Sequence, residues 1–124
     1  MTMRVLIVDD EYLITTSLQA FLEDEGFVAA SATSAEEAIE ILKDDMKYDV
    51  CIMDIRLPGM DGNSAMLSIH EMCPEIRFIV HTGSVNYIVP GDLKQSGIRV
   101  NHLFKKPLTD MSLVADAIRS FQVA

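Results

Sequence analysis

Five short apolar runs recur along the chain, separated by segments in which apolar residues recur every three or four positions. An unbroken aliphatic run is typical of a strand that is buried on both faces of a sheet. Strands that alternate with helices favour right-handed crossovers and a parallel sheet. The pattern therefore predicts an α/β fold, a three-layer doubly wound five-stranded parallel sheet of the flavodoxin-like kind. The predicted strands are Arg4–Val8, Phe27–Ala32, Val50–Met53, Phe78–Val80 and Leu103–Phe104.

The segments between the runs mostly show the spacing of amphipathic helices. Gly26 predicts the end of the first helix, Ser34 and Glu37 form a capping box before the second, and Pro74 closes the third. The predicted apolar stripes are Ile14, Leu18, Phe21 and Leu22; Ala35, Ala38, Ile39, Leu42 and Met46; Ala65, Ile69, Met72 and Cys73; and Leu113, Ala117, Ile118 and Phe121.

The segment between the fourth and fifth runs is less regular than the others. Pro90 lacks an amide hydrogen and clashes with the preceding turn, which costs about 3 kcal/mol inside a helix. Gly91 adds roughly 1 kcal/mol against a helix. The sequence therefore predicts a loop through Tyr87–Val89 and an irregular fourth helix. At most, a short helix begins at about Pro90 or Gly91, because proline is tolerated in a first turn.

The composition indicates one domain, residues 1–124, because 124 residues with 49% hydrophobic content can build one core. No apolar run approaches the roughly 18 residues that a membrane span needs. The opening MTMRVLIVDD has the wrong order for a signal peptide, so we expect a cytoplasmic protein that does not enter the membrane.

The charge balance argues against direct binding of nucleic acid. The formal net charge is −9, and 10 Lys and Arg residues leave too few for a clustered basic surface. Cys51 and Cys73 lie far apart in apolar surroundings and show no metal-ligand spacing. We therefore interpret both cysteines as reduced core residues.

Polar residues follow four of the five predicted strands: Asp9 and Asp10, then Asp54, Thr82 and Lys106. The carboxyl ends of parallel strands lie at one edge of a sheet, so these residues are expected to converge on one pocket. Three close carboxylates raise one another's pKa and need a cation to stay ionised. Oxygen ligands without His or Cys suit Mg²⁺. A metal and a lysine would attract a phosphate, to which a hydroxyl can donate a hydrogen bond.

One carboxylate could also attack phosphorus and form an acyl phosphate. Asp54 is the best candidate because it stands alone after the middle strand, whereas the adjacent Asp9 and Asp10 are better placed to hold a metal. Taken singly, these residues have simpler explanations: Asp10 could cap the first helix, and Thr82 could serve a turn. His81, expected on the opposite side of its strand from Thr82, is interpreted as structural.

These motifs resemble the receiver domain of two-component response regulators. The resemblance runs from Arg4 to about Phe121 and is carried by VDDE at 8–11, MD at 53–54, LPGMDG at 57–62, HTG at 81–83 and FKKP at 104–107. In that family a histidine kinase donates a phosphoryl group to one aspartate, which corresponds to Asp54. The resemblance implies that the domain accepts a phosphoryl group and can lose it by autodephosphorylation, rather than acting as a conventional enzyme.

The resemblance also implies the ligands and partners of the site. Asp9, Asp10, Asp54 and the backbone carbonyl of Arg56 would hold Mg²⁺. Thr82 would swing toward the phosphoryl group, and Lys106, before a proline that is typically cis in the family, would neutralise its charge. The implied partners are a sensor histidine kinase or a phosphotransfer protein and a downstream effector protein or domain, with no nucleic acid and no membrane.

The chain departs from the family at two positions. Leu103 stands where an aromatic residue is common, three residues before the lysine, and the neighbouring Phe104 should face the other way. Residue 83 is Gly, where a small residue with a side chain is common. We therefore hypothesise that the protein signals through an unusual fourth-helix region, in which the Val85–Val89 stretch closes over phosphorylated Asp54.

Two alternative functions remain open from the sequence. A Mg²⁺-dependent phosphatase of the haloacid dehalogenase kind also uses an aspartyl phosphate, but it would need a second acid at the position of Arg56. A receiver-like scaffold could instead bind partners without phosphorylation, although the complete set of five site residues argues against it. A nucleotide or flavin module lacks its glycine-rich phosphate loop.

Overall fold

The computed structural model describes residues 2–84 and 86–122. Within these residues, five parallel strands form one sheet in the order β2-β1-β3-β4-β5, which confirms the predicted doubly wound α/β fold. The strands are β1 Arg4–Val8, β2 Val28–Ala32, β3 Val50–Met53, β4 Arg77–Thr82 and β5 Arg99–Lys105. The helices are α1 Tyr12–Asp24, α2 Ala35–Asp44, α3 Gly62–Met72, α4 Gly91–Gln95 and α5 Ser112–Ser120.

The sheet separates two hydrophobic cores because successive strand residues point to opposite faces. In β1, Leu6 and Val8 pack with the buried residues of α2 and α3, whereas Val5 and Ile7 pack with those of α1 and α5. The same alternation runs through β3, all four of whose residues are buried. Burial on both faces explains why these strands are unbroken aliphatic runs.

The predicted helix ends of α1 and α2 are confirmed. Ser34 Oγ accepts a hydrogen bond from the Glu37 amide at 3.0 Å, and Glu37 Oε1 accepts one from the Thr33 amide at 2.7 Å. The first bond satisfies an amide that the first turn of α2 leaves unpaired, and the second fixes the residue before the N-cap. The chain leaves α1 through Gly26 at a φ of 95°, a backbone conformation that favours glycine.

The fourth helix is as short as Pro90 predicts. α4 is five residues long, begins at Gly91 and has Pro90 as its N-cap. The side chain of Leu93, in the middle of this helix, is buried. The backbone of residues 86–90 is neither helix nor strand. The part of the loop hypothesis that concerns Val85 lies outside the described residues.

Two positions of the predicted apolar stripes are wrong. Met46 lies beyond α2 and is 56% exposed, because Asp45 leaves the helical conformation and forms an ion pair with Arg4 at 2.6 Å. Leu113 is 49% exposed, because α5 turns a neighbouring set of residues toward the core. That buried set is Val114, Ala115, Ala117 and Ile118.

The predicted strands β4 and β5 are too short. β5 begins at Arg99 rather than Leu103, and β4 extends from Arg77 to Thr82. β5 is an edge strand whose exposed residues Arg99 and Asn101 alternate with less exposed ones. A half-buried edge strand therefore lacks the continuous apolar run by which the central strands are recognised.

The prediction that both cysteines are reduced core residues is confirmed, since Cys51 and Cys73 are free and buried. Burial raises the pKa of both thiols. Across residues 2–84 and 86–122, no helix combines the length and the apolar character that crossing a bilayer requires.

Candidate functional site

The carboxyl ends of β1, β3 and β5 bring the predicted acids and lysine into one pocket. Carboxylate oxygens of Asp9, Asp10 and Asp54 all lie within 4.8 Å of one another. Asp9 and Asp54 are buried, whereas Asp10 is exposed at the mouth of the pocket. The ammonium of Lys106 lies 2.8 Å from Asp9 Oδ2 and 3.3 Å from Asp54 Oδ2. The convergence predicted from the strand ends is therefore present for the three acids and Lys106.

The excess negative charge of the pocket favours the binding of a further cation. Burial and the charge of Asp9 raise the pKa of Asp54 to about 6, although Lys106 and the Arg56 amide act in the opposite direction. Burial alone would lower the pKa of Lys106, but the hydrogen bond and charge of Asp9, with the charge of Asp54, raise it. One ammonium thus faces three carboxylates, and an all-oxygen donor set of this charge fits a hard divalent cation such as Mg²⁺.

Backbone contacts hold the two buried acids in place. The Asp54 amide donates to the Val8 carbonyl at 2.9 Å, which continues the β1–β3 pairing up to the site. Asp9 Oδ1 accepts a hydrogen bond from the Glu11 amide at 3.0 Å. Glu11, not Asp10, is the N-cap of α1, and it makes no side-chain cap bond. The simpler explanation of Asp10 as a helix cap is therefore wrong.

Thr82 and the two lysines after it take different positions. Thr82 is fully buried at the end of β4, where its Oγ1 accepts a hydrogen bond from the Ser84 amide at 3.1 Å. Lys106 reaches the acids, whereas the Lys105 ammonium donates to the Ser84 carbonyl at 2.9 Å. The Lys106–Pro107 peptide bond is cis, as the resemblance implies. Arg56 is exposed, and the metal-binding role of its carbonyl stays a prediction.

Some residues near the site belong to the quoted motifs or to the predicted loop, but the sequence assigned them no contact. Glu11 Oε1 lies 3.4 Å from the Lys106 ammonium. Its position directly after Asp9 and Asp10 is the sequence feature that could have predicted this contact. Gly62 packs against the backbone of Asp54, and the Tyr87 hydroxyl donates to Asn63 Oδ1 at 2.6 Å. No local pattern points to the Tyr87–Asn63 contact, because it joins residues 24 positions apart in sequence.

A groove of about 680 Å³ lies beside the pocket, between α1 and the segment that follows β5. Leu13 and Leu108 contribute to its largely apolar wall, and Glu11 and Lys106 line it toward the acids. His81 is buried and lines the same groove as Glu11 and Lys106. Burial and the charge of Lys106 lower the pKa of His81.

Comparison with known proteins relates this geometry to a family. Residues 5–118 match the family model of the response regulator receiver domain. The chain belongs to this family. The receiver-domain function predicted from the motifs is thereby confirmed, and neither the haloacid dehalogenase phosphatase nor the phosphorylation-independent scaffold gains support.

The receiver domain is similar to proteins of different lengths. It is 32% identical over 114 residues to the alginate biosynthesis transcriptional regulatory protein AlgB of Pseudomonas aeruginosa, with 92% of this chain and 25% of that protein covered. It is 27% identical over 121 residues to sporulation initiation phosphotransferase F of Bacillus subtilis, with 98% and 94% covered. The chain thus spans about a quarter of the length of AlgB and nearly all of the sporulation protein.

A solved structure supports the same family relationship. The receiver domain resembles the response regulator TrrA of Thermotoga maritima, solved in complex with Mg²⁺ and BeF, with a TM-score of 0.80 and 25% sequence identity. The match covers 96% of this chain and 98% of that one.

Proposed function

We propose that residues 1–124 form one receiver domain in which Asp54 accepts a phosphoryl group from a histidine kinase or a phosphotransfer protein. The observation that carries this proposal is the buried Asp54 carboxylate, 3.3 Å from the Lys106 ammonium and beside two further acids. With a pKa of about 6, Asp54 is mostly ionised at neutral pH and can act as a nucleophile.

In the transfer, a phosphorus–oxygen bond to Asp54 forms as the phosphorus–nitrogen bond of the donor's phosphohistidine breaks, and the imidazole keeps the bonding electrons. Lys106 supplies positive charge where the phosphoryl oxygens arrive, and the Thr82 hydroxyl donates to one of them after rotating toward it. The product is an acyl phosphate on Asp54, which water can later hydrolyse.

We propose that Asp9, Asp10, Asp54 and the Arg56 carbonyl hold Mg²⁺ in this reaction. The all-oxygen donor set and its excess negative charge support this assignment. When bound, the ion would neutralise charge on the phosphoryl oxygens. Without it, three carboxylates facing one ammonium would repel an incoming phosphoryl group.

The groove beside the pocket is the surface on which we propose that the phosphoryl donor docks. Leu13, which lines the groove with Glu11 and Lys106, is 78% exposed, and the adjacent Tyr12, outside the groove, is 69% exposed. Apolar residues exposed next to a reactive group are typical of an interface. We also propose, as the sequence predicts, that the protein binds a downstream effector and is located in the cytoplasm.

Phosphorylation by acetyl phosphate tests the assignment of Asp54. With Mg²⁺ present, intact-mass spectrometry should show one phosphoryl group on the wild type and none on Asp54→Asn. The control Asp61→Asn removes an exposed carboxylate outside the pocket, whose role is to accept the Ser64 amide at the start of α3, and it should be labelled like the wild type. Equal labelling of Asp54→Asn and the wild type would contradict the proposal.

A further inference from the structure

A hydrogen bond links the loop after β4 to the first turn of α3. The Tyr87 hydroxyl donates to Asn63 Oδ1 at 2.6 Å, across 24 residues of sequence. The Tyr87 ring is half-buried against the core beneath α3. Burial and the charge of Asp61 raise the pKa of the phenol, so it remains a donor at neutral pH. We call this hydrogen bond the Tyr87 tether.

The α3 end of the tether is held close to Asp54. Asn63 directly follows Gly62, whose amide donates to the Ile55 carbonyl at 2.9 Å. A Cβ atom at Gly62 would lie 2.3 Å from the Asp54 carbonyl oxygen, so the backbones of the two residues are in contact. Asn63 is therefore a fixed point beside the candidate phosphorylation site.

The other end of the tether is connected to Thr82. The Tyr87 amide donates to the Ser84 carbonyl at 3.4 Å, and the Ser84 amide donates to Thr82 Oγ1 at 3.1 Å. The Lys105 ammonium also donates to the Ser84 carbonyl at 2.9 Å. Because residues 86–90 form neither helix nor strand, these three hydrogen bonds contribute to holding Tyr87 where it is.

The Thr82 hydroxyl accepts one hydrogen bond and can donate another. It accepts the Ser84 amide in this structure, whereas a phosphoryl group on Asp54 would offer strong acceptors for the same hydroxyl. A rotation of Thr82 toward the phosphoryl oxygens would displace Oγ1 from the Ser84 amide and so weaken one of the bonds that connect Tyr87 to β4. Leu103 packs against the same core but has no group that could take part in this exchange.

We propose that Tyr87 couples the phosphorylation state of Asp54 to the α4 region: it is docked on Asn63 in the unphosphorylated protein and released when Thr82 turns to the phosphoryl group. This inference rests on the proposed role of Asp54. Release of Tyr87 also moves the adjacent Ile88, which is 79% exposed, and so changes the apolar surface that a partner meets.

Amide exchange and chemical shifts in the free protein test the tether without phosphorylation. Tyr87→Phe keeps the ring and removes the hydroxyl, and Asn63→Ala removes the acceptor from the other side. In both variants the Ser84 amide should exchange about fivefold faster, the factor that corresponds to one lost hydrogen bond. Tyr12→Phe, which removes the hydroxyl of an exposed tyrosine, should behave like the wild type. Unchanged exchange in both tether variants would overturn the inference.

Mg²⁺ with beryllofluoride, a phosphoryl mimic, tests the coupling. In the wild type the Tyr87 and Asn63 signals should shift together with those of Thr82, and the Asn63 signals should move toward the positions found in free Tyr87→Phe. Asp54→Asn should show none of these shifts. A response at Thr82 and Asp10 that leaves Tyr87 unmoved would overturn the coupling but spare the phosphoacceptor role. No response at Thr82 and Asp10, with the tether variants still altered, would instead contradict the phosphoacceptor role and the coupling with it.

Discussion

Gly62 lies against the backbone of Asp54 so closely that a side chain cannot be placed there. A Cβ atom at Gly62 would lie 2.3 Å from the Asp54 carbonyl oxygen and 2.7 Å from the Ile55 Cα. Both obstacles are backbone atoms and cannot rotate away. The first turn of α3 therefore packs directly behind the candidate phosphoacceptor, and this packing places Asp54 relative to α3.

Gly62→Ala is expected to destabilise the protein, because the added methyl group forces α3 and β3 apart. The overlap should lower the free energy of unfolding by about 1–3 kcal/mol or more, the range of overpacked cores. Urea unfolding measures the loss. Gly91→Ala is the matched control, since nothing lies within 4 Å of its Cβ position and alanine favours the helix. Equal stability of Gly62→Ala and the wild type would contradict the close packing.

Asp54→Asn is expected to stabilise the metal-free protein at neutral pH. The folded-state pKa of Asp54 is about 6, against an ordinary value of 3.8. Between these values the folded protein binds more protons than the unfolded chain, so the contribution of Asp54 to stability falls as pH rises from about 4 to about 6. Above pH 6, the raised pKa of Asp54 lowers the free energy of unfolding by about 3 kcal/mol.

Urea unfolding in EDTA at pH 4 and pH 7.5 measures this effect. Asp54→Asn should gain stability over the wild type at pH 7.5 and lose most of that advantage at pH 4. Asp24→Asn removes an exposed carboxylate of α1 and serves as the control. An advantage of the same size at both pH values would show that titration of Asp54 is not its cause.

The two neighbouring acids should contribute unequally to Mg²⁺ binding. Asp9 Oδ1 already accepts the Glu11 amide and its Oδ2 faces Lys106, whereas Asp10 is exposed at the mouth of the pocket. Asp10→Ala should weaken Mg²⁺ binding at least about tenfold. Removal of a residue that only supports a metal ligand already lowers metal affinity by about this factor. Asp9→Ala should weaken it less if Asp9 acts through water.

Calorimetric titration with Mg²⁺ at pH 7.5 compares these two variants with the wild type and with Asp92→Ala, an exposed acid of α4. Lowering the pH through about 6 should also weaken binding to the wild type, because protonated Asp54 is a poor ligand. An unchanged affinity in both variants would mean that the acid pair holds no metal.

Substitutions of Lys106 and Lys105 should have different effects on the response of the protein to beryllofluoride. Lys106→Ala should retain Mg²⁺ binding but lose the chemical-shift response of Thr82, because the charge that pairs with the phosphoryl oxygens is missing. Lys105→Ala should keep that response, since its ammonium contacts the Ser84 carbonyl rather than the acids. A full response in Lys106→Ala together with a lost one in Lys105→Ala would reverse the assignment.

Features that depend on a few neighbouring residues could be predicted from the sequence. Burial on both faces requires unbroken aliphatic runs, so β1 and β3 were found with their observed bounds. Pro90 cannot lie inside a helix, so the short α4 was expected. The order of the strands is enough to group the acids, because parallel strands end at one edge of the sheet.

The tertiary structure decided which atoms of distant segments meet. Lys105 and Lys106 are chemically alike and adjacent; the resemblance implied Lys106, and the path of the chain after β5 directs its ammonium to Asp9 and the Lys105 ammonium to the Ser84 carbonyl. Tyr87 and Asn63 stand 24 residues apart in segments whose local patterns do not refer to each other. Their hydrogen bond exists because α3 packs behind β3 and the loop after β4 crosses toward it. Local sequence determines which residues are buried and which backbone conformations are allowed, whereas such a contact depends on how all the elements pack at once.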